Sequence, residues 1–136
     1  MANLASEDYT YASGCALMIQ CAMGLSLIEM SLRISHKVGS VFDFKELISV
    51  CEQGIVKSVE HYERDHQSLL VYKKTLNSSI LYESSSDMLV LVEGFLNQLD
   101  HLANEVYLKT KPDYLVGINM IKQVREELVN NLLIKM

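Results

Sequence analysis

A long apolar segment near the start of the chain limits the possible folds more than any other feature. Residues 12–34, ASGCALMIQCAMGLSLIEMSLRI, contain only three strongly polar side chains, those of Gln20, Glu29 and Arg33. A helix that is apolar on every face is normally buried among neighbouring elements. Small residues such as Gly14 allow those neighbours to come close. We therefore expect this segment to be the central helix of a helical bundle.

The composition agrees with a helical protein. The chain has 136 residues, of which 49% are hydrophobic, and only one proline and six glycines. Few helix breakers favour long helices over a sheet with many turns. The length predicts a single domain over residues 1–136. The formal net charge of -5, without a Lys/Arg run, argues against a nucleic-acid partner.

The same apolar segment approaches the length of a transmembrane helix, about 20 residues. Gln20 and Glu29 lie inside it, no basic cluster flanks it, and the start MANLASED is not that of a signal peptide. We therefore expect no membrane association. The cysteines are Cys15, Cys21 and Cys51. An odd number of cysteines without the spacing of metal ligands predicts reduced thiols in a cytoplasmic protein.

The hydrophobic pattern predicts the first two helices. Residues 1–11 are expected to be irregular, and the first helix covers residues 13–36 and ends at Gly39. Asp43, followed three residues later by a glutamate, is typical of a capping box that opens the second helix. Apolar side chains then recur every three or four residues, which predicts a helix to about residue 76 with one buried face.

The second half of the chain predicts two further helices. The serine-rich residues 77–85 are expected to form a loop or a short turn of helix. The third helix starts at residue 86 or 87 and ends at Lys111-Pro112. The last helix begins at Asp113. Four helices with short connections predict an all-α, antiparallel up-and-down bundle. Because the first helix needs more cover than three amphipathic helices give, we expect a homodimer with that helix central.

The densest polar cluster, residues 60–66, has three interpretations. Glu63 and His66 form an E-x-x-H pair, as in di-iron bundles, for which Glu29 and Glu93 would be the additional ligands. No second E-x-x-H pair is present, so we expect no metal site.

The second interpretation is acid–base chemistry, and the third is a solvated helix face. Asp65 lies at the edge of the buried stripe of the second helix, where a partly buried carboxylate suits proton transfer near neutral pH. On a solvated face, Glu60 would form an intrahelical ion pair with Arg64, and His66 would be a packed histidine. The residues alone leave these interpretations open.

The basic end of the first helix has two interpretations. Arg33, His36 and Lys37 complement the negative end of the helix dipole. They would also suit an anion site for a carboxylate or phosphate group.

Several segments together resemble the formiminotransferase-cyclodeaminase family, whose cyclodeaminase or methenyltetrahydrofolate cyclohydrolase module is all-helical. Residues 4–6 and then 11–35 follow the order of a short helix, a turn and a small-residue apolar helix. Residues 65–69, DHQSL, are similar to the family pattern D-x-x-A/S-(F/L). The family also has a helix that starts with Ser-Asp and leads to an Asn-Val pair. In this chain, Ser-Asp at residues 86–87 and Asn-Glu-Val at residues 104–106 are similar to that pattern. The chain lacks the family's proline- and glycine-rich turn and one helical hairpin.

The resemblance implies a tetrahydrofolate derivative as substrate and no cofactor. The reaction would be attack of water on a methenyl carbon, or loss of ammonia from a formimino group. Asp65 would shuttle the proton. The helix start would bind an anionic group through backbone N–H groups, and a basic residue would bind the folate carboxylates. The implied substrate-binding residues are Ser13, Gly14, Arg33, Lys37, Ser86, Asp87 and Asn104.

An alternative function belongs to a different class. A non-catalytic helical bundle would act as a protein–protein interaction module, with an apolar groove that packs against a helix of a partner protein. An exposed apolar patch of several hundred Å² would be typical of such a module.

Overall fold

The protein is a bundle of four helices joined by short connections. The computed structural model describes residues 9–77 and 79–135, and no strand occurs within these ranges. The four α-helices are α1 (Tyr9–Lys37), α2 (Lys45–Thr75), α3 (Ser79–Leu99) and α4 (Lys111–Lys135), with a short 3-10 turn at Leu108–Thr110 before α4.

Each helix runs antiparallel to the preceding one, and α4 returns to pack against α1. The α1–α2 direction follows from one contact near each end, Cys15 with Asp65 and Arg33 with Glu52. Between α1 and α4, the Gln20 side-chain amide donates a hydrogen bond of 3.0 Å to the Met120 carbonyl. The predicted all-α, up-and-down four-helix bundle is confirmed.

The inner side of α1 forms much of the core. Cys21, Leu25, Ile28 and Leu32 are completely buried against the other helices. Residues Ser13–Lys37 have the length and apolarity of a membrane span, but half of the apolar window is buried inside the bundle. The apolarity of the inner side is therefore explained by packing, whereas the outer side needs a separate explanation.

Two glycines let α1 and α4 touch backbone to backbone. A Cβ atom on Gly117 would lie 2.6 Å from the carbonyl oxygen of Gly24, and one on Gly24 would lie 2.9 Å from the carbonyl oxygen of Gly117. Real Cβ atoms do not approach an oxygen so closely. The small residues of the apolar segment therefore have the predicted role of admitting a neighbouring backbone.

The ends of α1 and α2 differ in detail from the expectation. Tyr9 is already helical, so the predicted irregular start is wrong for residues 9–11, and residues 1–8 lie outside the described part of the chain. Gly39, with φ of +85°, follows α1 as predicted. The capping box is wrong: Phe44 is the N-cap residue and makes no side-chain cap. Asp43 lies one residue earlier, and its carboxylate accepts a hydrogen bond of 3.0 Å from the Lys45 N–H.

The loop or short turn of helix predicted at residues 77–85 is wrong from residue 79 onward, because the long helix α3 begins at Ser79. The Asn77 side-chain oxygen accepts hydrogen bonds from the N–H (3.2 Å) and the hydroxyl (2.7 Å) of Ser79. An asparagine at a helix start satisfies an N–H group that has no partner within the helix. Ser84 and Ser85 then point inward and are buried.

The predicted end of the third helix is also wrong, because α3 ends at Leu99 and not at residue 111. Leu102 is fully buried but lies in the connection, where its N–H donates a hydrogen bond of 3.0 Å to the Tyr114 hydroxyl. That hydroxyl donates in turn to the Leu99 carbonyl. The Tyr114 side chain thus replaces helical hydrogen bonds at the end of α3. Pro112 lies in the first turn of α4, where its missing N–H costs nothing.

Candidate functional site

Asp65 is a buried carboxylate inside the bundle. It lies on α2, only 5% exposed, and faces both α1 and α3. The Ser84 hydroxyl of α3 donates a hydrogen bond of 2.9 Å to its Oδ1 atom. The Cys15 thiol of α1 lies 3.9 Å from its Oδ2 atom. Residues from three helices therefore meet at this carboxylate.

Gly14 is the closest part of α1 to Asp65. A Cβ atom on Gly14 would overlap the Oδ2 atom of Asp65 and would lie 2.8 Å from its Cγ atom. Only glycine leaves the carboxylate room at this position. The structure thus brings together two of the residues singled out from the sequence, although they are 51 positions apart.

The Cys15 thiol keeps its proton beside this carboxylate. Burial, and next the negative charge and hydrogen bonding of Asp65, raise the pKa of Cys15 to about 11. A protonated thiol is a weak hydrogen-bond donor. The two carboxylate oxygens therefore each face a donor group, the Ser84 hydroxyl on one side and the Cys15 thiol on the other. Such a carboxylate is held in one orientation, as proton transfer requires.

Three further candidate residues lie at the same end of the bundle as Asp65. Ser13 is exposed on α1, and its hydroxyl oxygen accepts a hydrogen bond of 2.9 Å from the Asn131 amide of α4. Ser86 is half-buried on α3. Asp87, next to it, forms a largely exposed ion pair with Arg64 of α2. Ser13 is next to Gly14, and Ser86 is two residues after Ser84, so both lie in the chain directly beside contacts of Asp65.

The remaining candidates lie at the opposite end of the bundle. Arg33 and Gly14 are 19 residues apart on α1, which is about 28 Å along a helix. Arg33 forms ion pairs with Glu29, at 2.9 Å, and with Glu52. Lys37, at the end of α1, is exposed. A single copy of the chain does not bring these basic residues to Asp65.

Asn104 also lies away from Asp65. It is exposed in the connection between α3 and α4, at the same end of the bundle as Lys37. The structure therefore separates the predicted residues into two groups at opposite ends.

The other interpretations of the polar cluster can now be compared with the contacts. Within the described ranges, no three His, Cys, Asp or Glu side chains are grouped closely enough to hold a metal ion. Arg64 pairs with Asp87 and not with Glu60, so the predicted intrahelical pair is wrong. Glu60 and Glu63 are exposed, as expected of a solvated face, whereas Asp65 is buried.

Sequence reasoning missed Ser84, which it placed in a loop. One signal in the sequence could have identified it. Leu81, Ser84 and Met88 are three or four residues apart, so the buried face of α3 can be continued back through Ser84. His61 was also missed. Its Nδ1 atom is buried without a hydrogen-bond partner among the described residues. Burial, and next the positive charge of Arg64, lower the pKa of His61.

Comparisons with known proteins bear on the fold. No protein-family model matches the sequence, and no curated protein matches it. The structure is similar to the crystal structure of formiminotetrahydrofolate cyclodeaminase from Thermotoga maritima, with a TM-score of 0.86 and 16% sequence identity. The match covers 97% of this chain and 73% of that chain. At this identity the likeness concerns the fold alone, and it confirms the predicted resemblance at the level of the fold.

Proposed function

We propose that this chain is a cyclodeaminase-like protein of one-carbon metabolism that binds a tetrahydrofolate derivative. One observation carries the proposal. The carboxylate of Asp65, in the segment that resembles the family pattern, is buried between Gly14 and Ser84. It lies inside a bundle with the fold of a folate cyclodeaminase. Membership of the formiminotransferase-cyclodeaminase family is part of this proposal.

The chemistry proposed for Asp65 is proton transfer. In the cyclohydrolase reaction, the oxygen of water forms a bond to the methenyl carbon while the Asp65 carboxylate accepts a proton from that water. The proton then passes to the folate nitrogen as its bond to this carbon breaks, and the hydroxyl on the carbon releases its own proton to water as the formyl carbonyl forms. In the deaminase reaction, the second folate nitrogen forms the bond to the formimino carbon and gives its proton to the Asp65 carboxylate. That proton then passes to the formimino nitrogen as its bond to the carbon breaks and ammonia leaves. The Ser84 hydroxyl orients the carboxylate through its hydrogen bond of 2.9 Å.

Polar side chains at the same end of the bundle as Asp65 would bind the substrate. Ser13 and Ser86 offer hydroxyl groups, and Asp87 offers a carboxylate for the amino group and the adjacent ring N–H of a pterin. The backbone at Gly14 approaches Asp65 without an intervening side chain, which leaves α1 close to any ligand that reaches the carboxylate.

The test is hydrolysis of methenyltetrahydrofolate, followed by its absorbance, together with ligand binding by calorimetry. We expect turnover by the natural chain and a fall of about 10²–10⁴-fold in Asp65→Asn, since general acid–base groups contribute that much. Glu127→Gln, an exposed change on α4, is the matched control and should keep full activity. Turnover that is unchanged in Asp65→Asn overturns the role of Asp65. Binding without turnover identifies a degenerate folate-binding protein. The absence of both binding and turnover refutes the proposal.

A second candidate function is supported by one surface feature. A groove of about 340 Å³ between α1 and α2 has mainly apolar walls. It suits the non-catalytic interaction module that packs against another helix. The residues that line it are Met18, Ile19, Ala22, Met23, Ser26, Ser58, Val59 and Tyr62.

A cytoplasmic location is proposed together with this function. Cys15, Cys21 and Cys51 are free and buried. Free thiols are typical of a reducing compartment, where tetrahydrofolate derivatives are also protected from oxidation.

A further inference from the structure

His61 has a buried nitrogen atom that no neighbouring group binds. The residue is half-buried on α2, and its Nδ1 atom has no hydrogen-bond partner among the described residues. Nearly all buried polar atoms of native proteins have a partner, so an exception needs an explanation, and a role in catalysis is one. Because the residue as a whole is only half-buried, its imidazole lies between the interior of the bundle and the surface.

His61 lies one helical turn from the Asp65 carboxylate. Residues four apart on a helix are neighbours on the same face, with about 5–6 Å between their Cβ atoms. Two contacts fix the register of α2 against α3, that of Asp65 with Ser84 and that of Arg64 with Asp87. Since the two helices are antiparallel, this register places His61 level with the turn of α3 that starts at Asp87. His61 is therefore at the junction of α2 and α3, beside the buried carboxylate.

The facing turn of α3 explains why the Nδ1 atom has no partner. Its inner residues, Met88 and Leu91, belong to the hydrophobic core or pack against it. A leucine side chain has no polar atom, and the thioether of methionine is only a weak acceptor. The imidazole nitrogen of His61 is thus not used to hold the bundle together, and it remains available to a proton or a water molecule.

The surroundings keep His61 neutral near pH 7. Burial, and next the positive charge of Arg64, lower the pKa of this histidine below its ordinary 6.5. Three negative groups oppose that change: Asp87 of α3, and Glu60 and Asp65 of α2. A neutral imidazole can accept a proton, and a low pKa lets it pass the proton on to solvent.

The proposed reaction needs a path by which a proton leaves the site. Hydrolysis of a methenyl group consumes one water and releases one proton in each turnover. Asp65 is only 5% exposed and lies between Gly14 of α1 and Ser84 of α3. The Cys15 thiol beside it cannot accept this proton, because burial raises the pKa of Cys15 to about 11 and the thiol is already protonated.

We propose that His61 carries the released proton from the Asp65 site to the solvent, a role that rests on the proposed function. The hydroxyl on the former methenyl carbon gives its proton to a water molecule as the formyl carbonyl forms. That water donates the proton to the imidazole of His61, which becomes an imidazolium. The imidazolium then gives the proton to bulk water, which restores the neutral ring for the next turnover.

Titration of His61 by NMR tests its coupling to Asp65 without any folate. We expect its imidazole signals to titrate below pH 6.5 in the natural chain, and at a still lower pH in Asp65→Asn, because the negative charge that raises the pKa of His61 is then absent. Glu127→Gln, an exposed change on α4, is the matched control and should leave the midpoint unchanged. A midpoint above 6.5, or one that is equal in the natural chain and in Asp65→Asn, overturns the relay.

Turnover with and without free imidazole separates a proton relay from a structural role. In dilute buffer, His61→Gln should lower the turnover of methenyltetrahydrofolate by about 10²-fold, the low end of what proton-transferring side chains contribute. Free imidazole should restore most of this loss, after subtraction of the reaction without protein, because it replaces the missing proton carrier. Asp65→Asn should not be restored. His101→Gln, an exposed change in the connection between α3 and α4, is the matched control and should keep full turnover.

The outcomes distinguish this inference from the proposed function. Natural turnover that is equal in His61→Gln, or a loss in His61→Gln that imidazole does not restore, overturns the relay and leaves the role of Asp65 intact. A natural chain without turnover refutes the relay together with the proposed activity. The NMR titration compares the natural chain with Asp65→Asn, so it gives a result even where His61→Gln does not fold.

Discussion

The contact between Gly14 and Asp65 makes a sharp prediction for the Gly14→Ala variant. The new Cβ atom would overlap the Oδ2 atom of Asp65 and lie 2.8 Å from its Cγ atom. The carboxylate must then move, and the 2.9 Å hydrogen bond from the Ser84 hydroxyl is lost or distorted. The substitution acts through the buried site even though it adds only one methyl group.

The expected magnitude follows from three contributions. Overpacking of a tight core costs about 1–3 kcal/mol, and loss of a hydrogen bond to a charged group costs about 1.5–3 kcal/mol. The better helix propensity of alanine offsets about 1 kcal/mol. We expect Gly14→Ala to lower the free energy of unfolding by about 1.5–5 kcal/mol, measured by urea denaturation and circular dichroism at 222 nm.

Two controls separate the clash from a general effect on the helix. A Cβ atom on Gly94 of α3 would meet no other atom within 4 Å, so Gly94→Ala should stabilise the protein by about 0.4–1 kcal/mol. In an Asp65→Ala background the carboxylate is absent, and Gly14→Ala should no longer destabilise. A Gly14→Ala variant as stable as the natural protein, or a penalty that persists without Asp65, would refute this account of the site.

Two further predictions concern the connection before α4 and the half-buried His61. Tyr114→Phe removes the hydroxyl that binds the Leu102 N–H and the Leu99 carbonyl, and we expect a loss of about 1–3 kcal/mol in urea denaturation. Burial lowers the pKa of His61 in the folded protein from its ordinary 6.5. As the pH falls, the unfolded chain therefore binds a proton at this residue before the folded protein does. Stability should therefore fall as the pH drops below about 6.5. His61→Gln should weaken this pH dependence of the melting temperature between pH 7.5 and 5.5, and an unchanged profile would contradict the assignment.

The regular parts of the fold were predictable, and the exceptions have identifiable causes. Apolar residues at helical spacing predicted the end of α2 to within a residue. The start of α3 was missed because serines usually signal a loop, whereas Ser84 serves a buried carboxylate. Its end was missed because Leu102 and Val106 keep an apolar spacing of four in a connection that is not helical. Tertiary contacts, not local propensity, decide both positions.

The candidate site was partly predictable. Asp65 and Gly14 were named from the sequence, and the fold places them in contact. Arg33 and Lys37 were named for the same ligand, but their distance along α1 separates them from Asp65 within one chain. Sequence spacing on a single helix fixes that separation, which is about 28 Å between Gly14 and Arg33.

The contacts between helices also determine where the bundle can open. α1 is held to α4 at three points along its length: the Ser13–Asn131 hydrogen bond, the Gln20–Met120 hydrogen bond, and the backbone contact of Gly24 with Gly117. With no side chain between the two glycines, no rotamer change can separate this pair of helices.

By contrast, α3 is held to α2 beside the site by the Ser84–Asp65 hydrogen bond and by an exposed ion pair between Arg64 and Asp87. Exposed ion pairs contribute little, about 0–1 kcal/mol. We therefore expect a ligand to reach Asp65 by an outward swing of the start of α3, which carries Ser84 away from the carboxylate and exposes it. During this movement of α3, we expect the helix pair α1–α4 to keep its position.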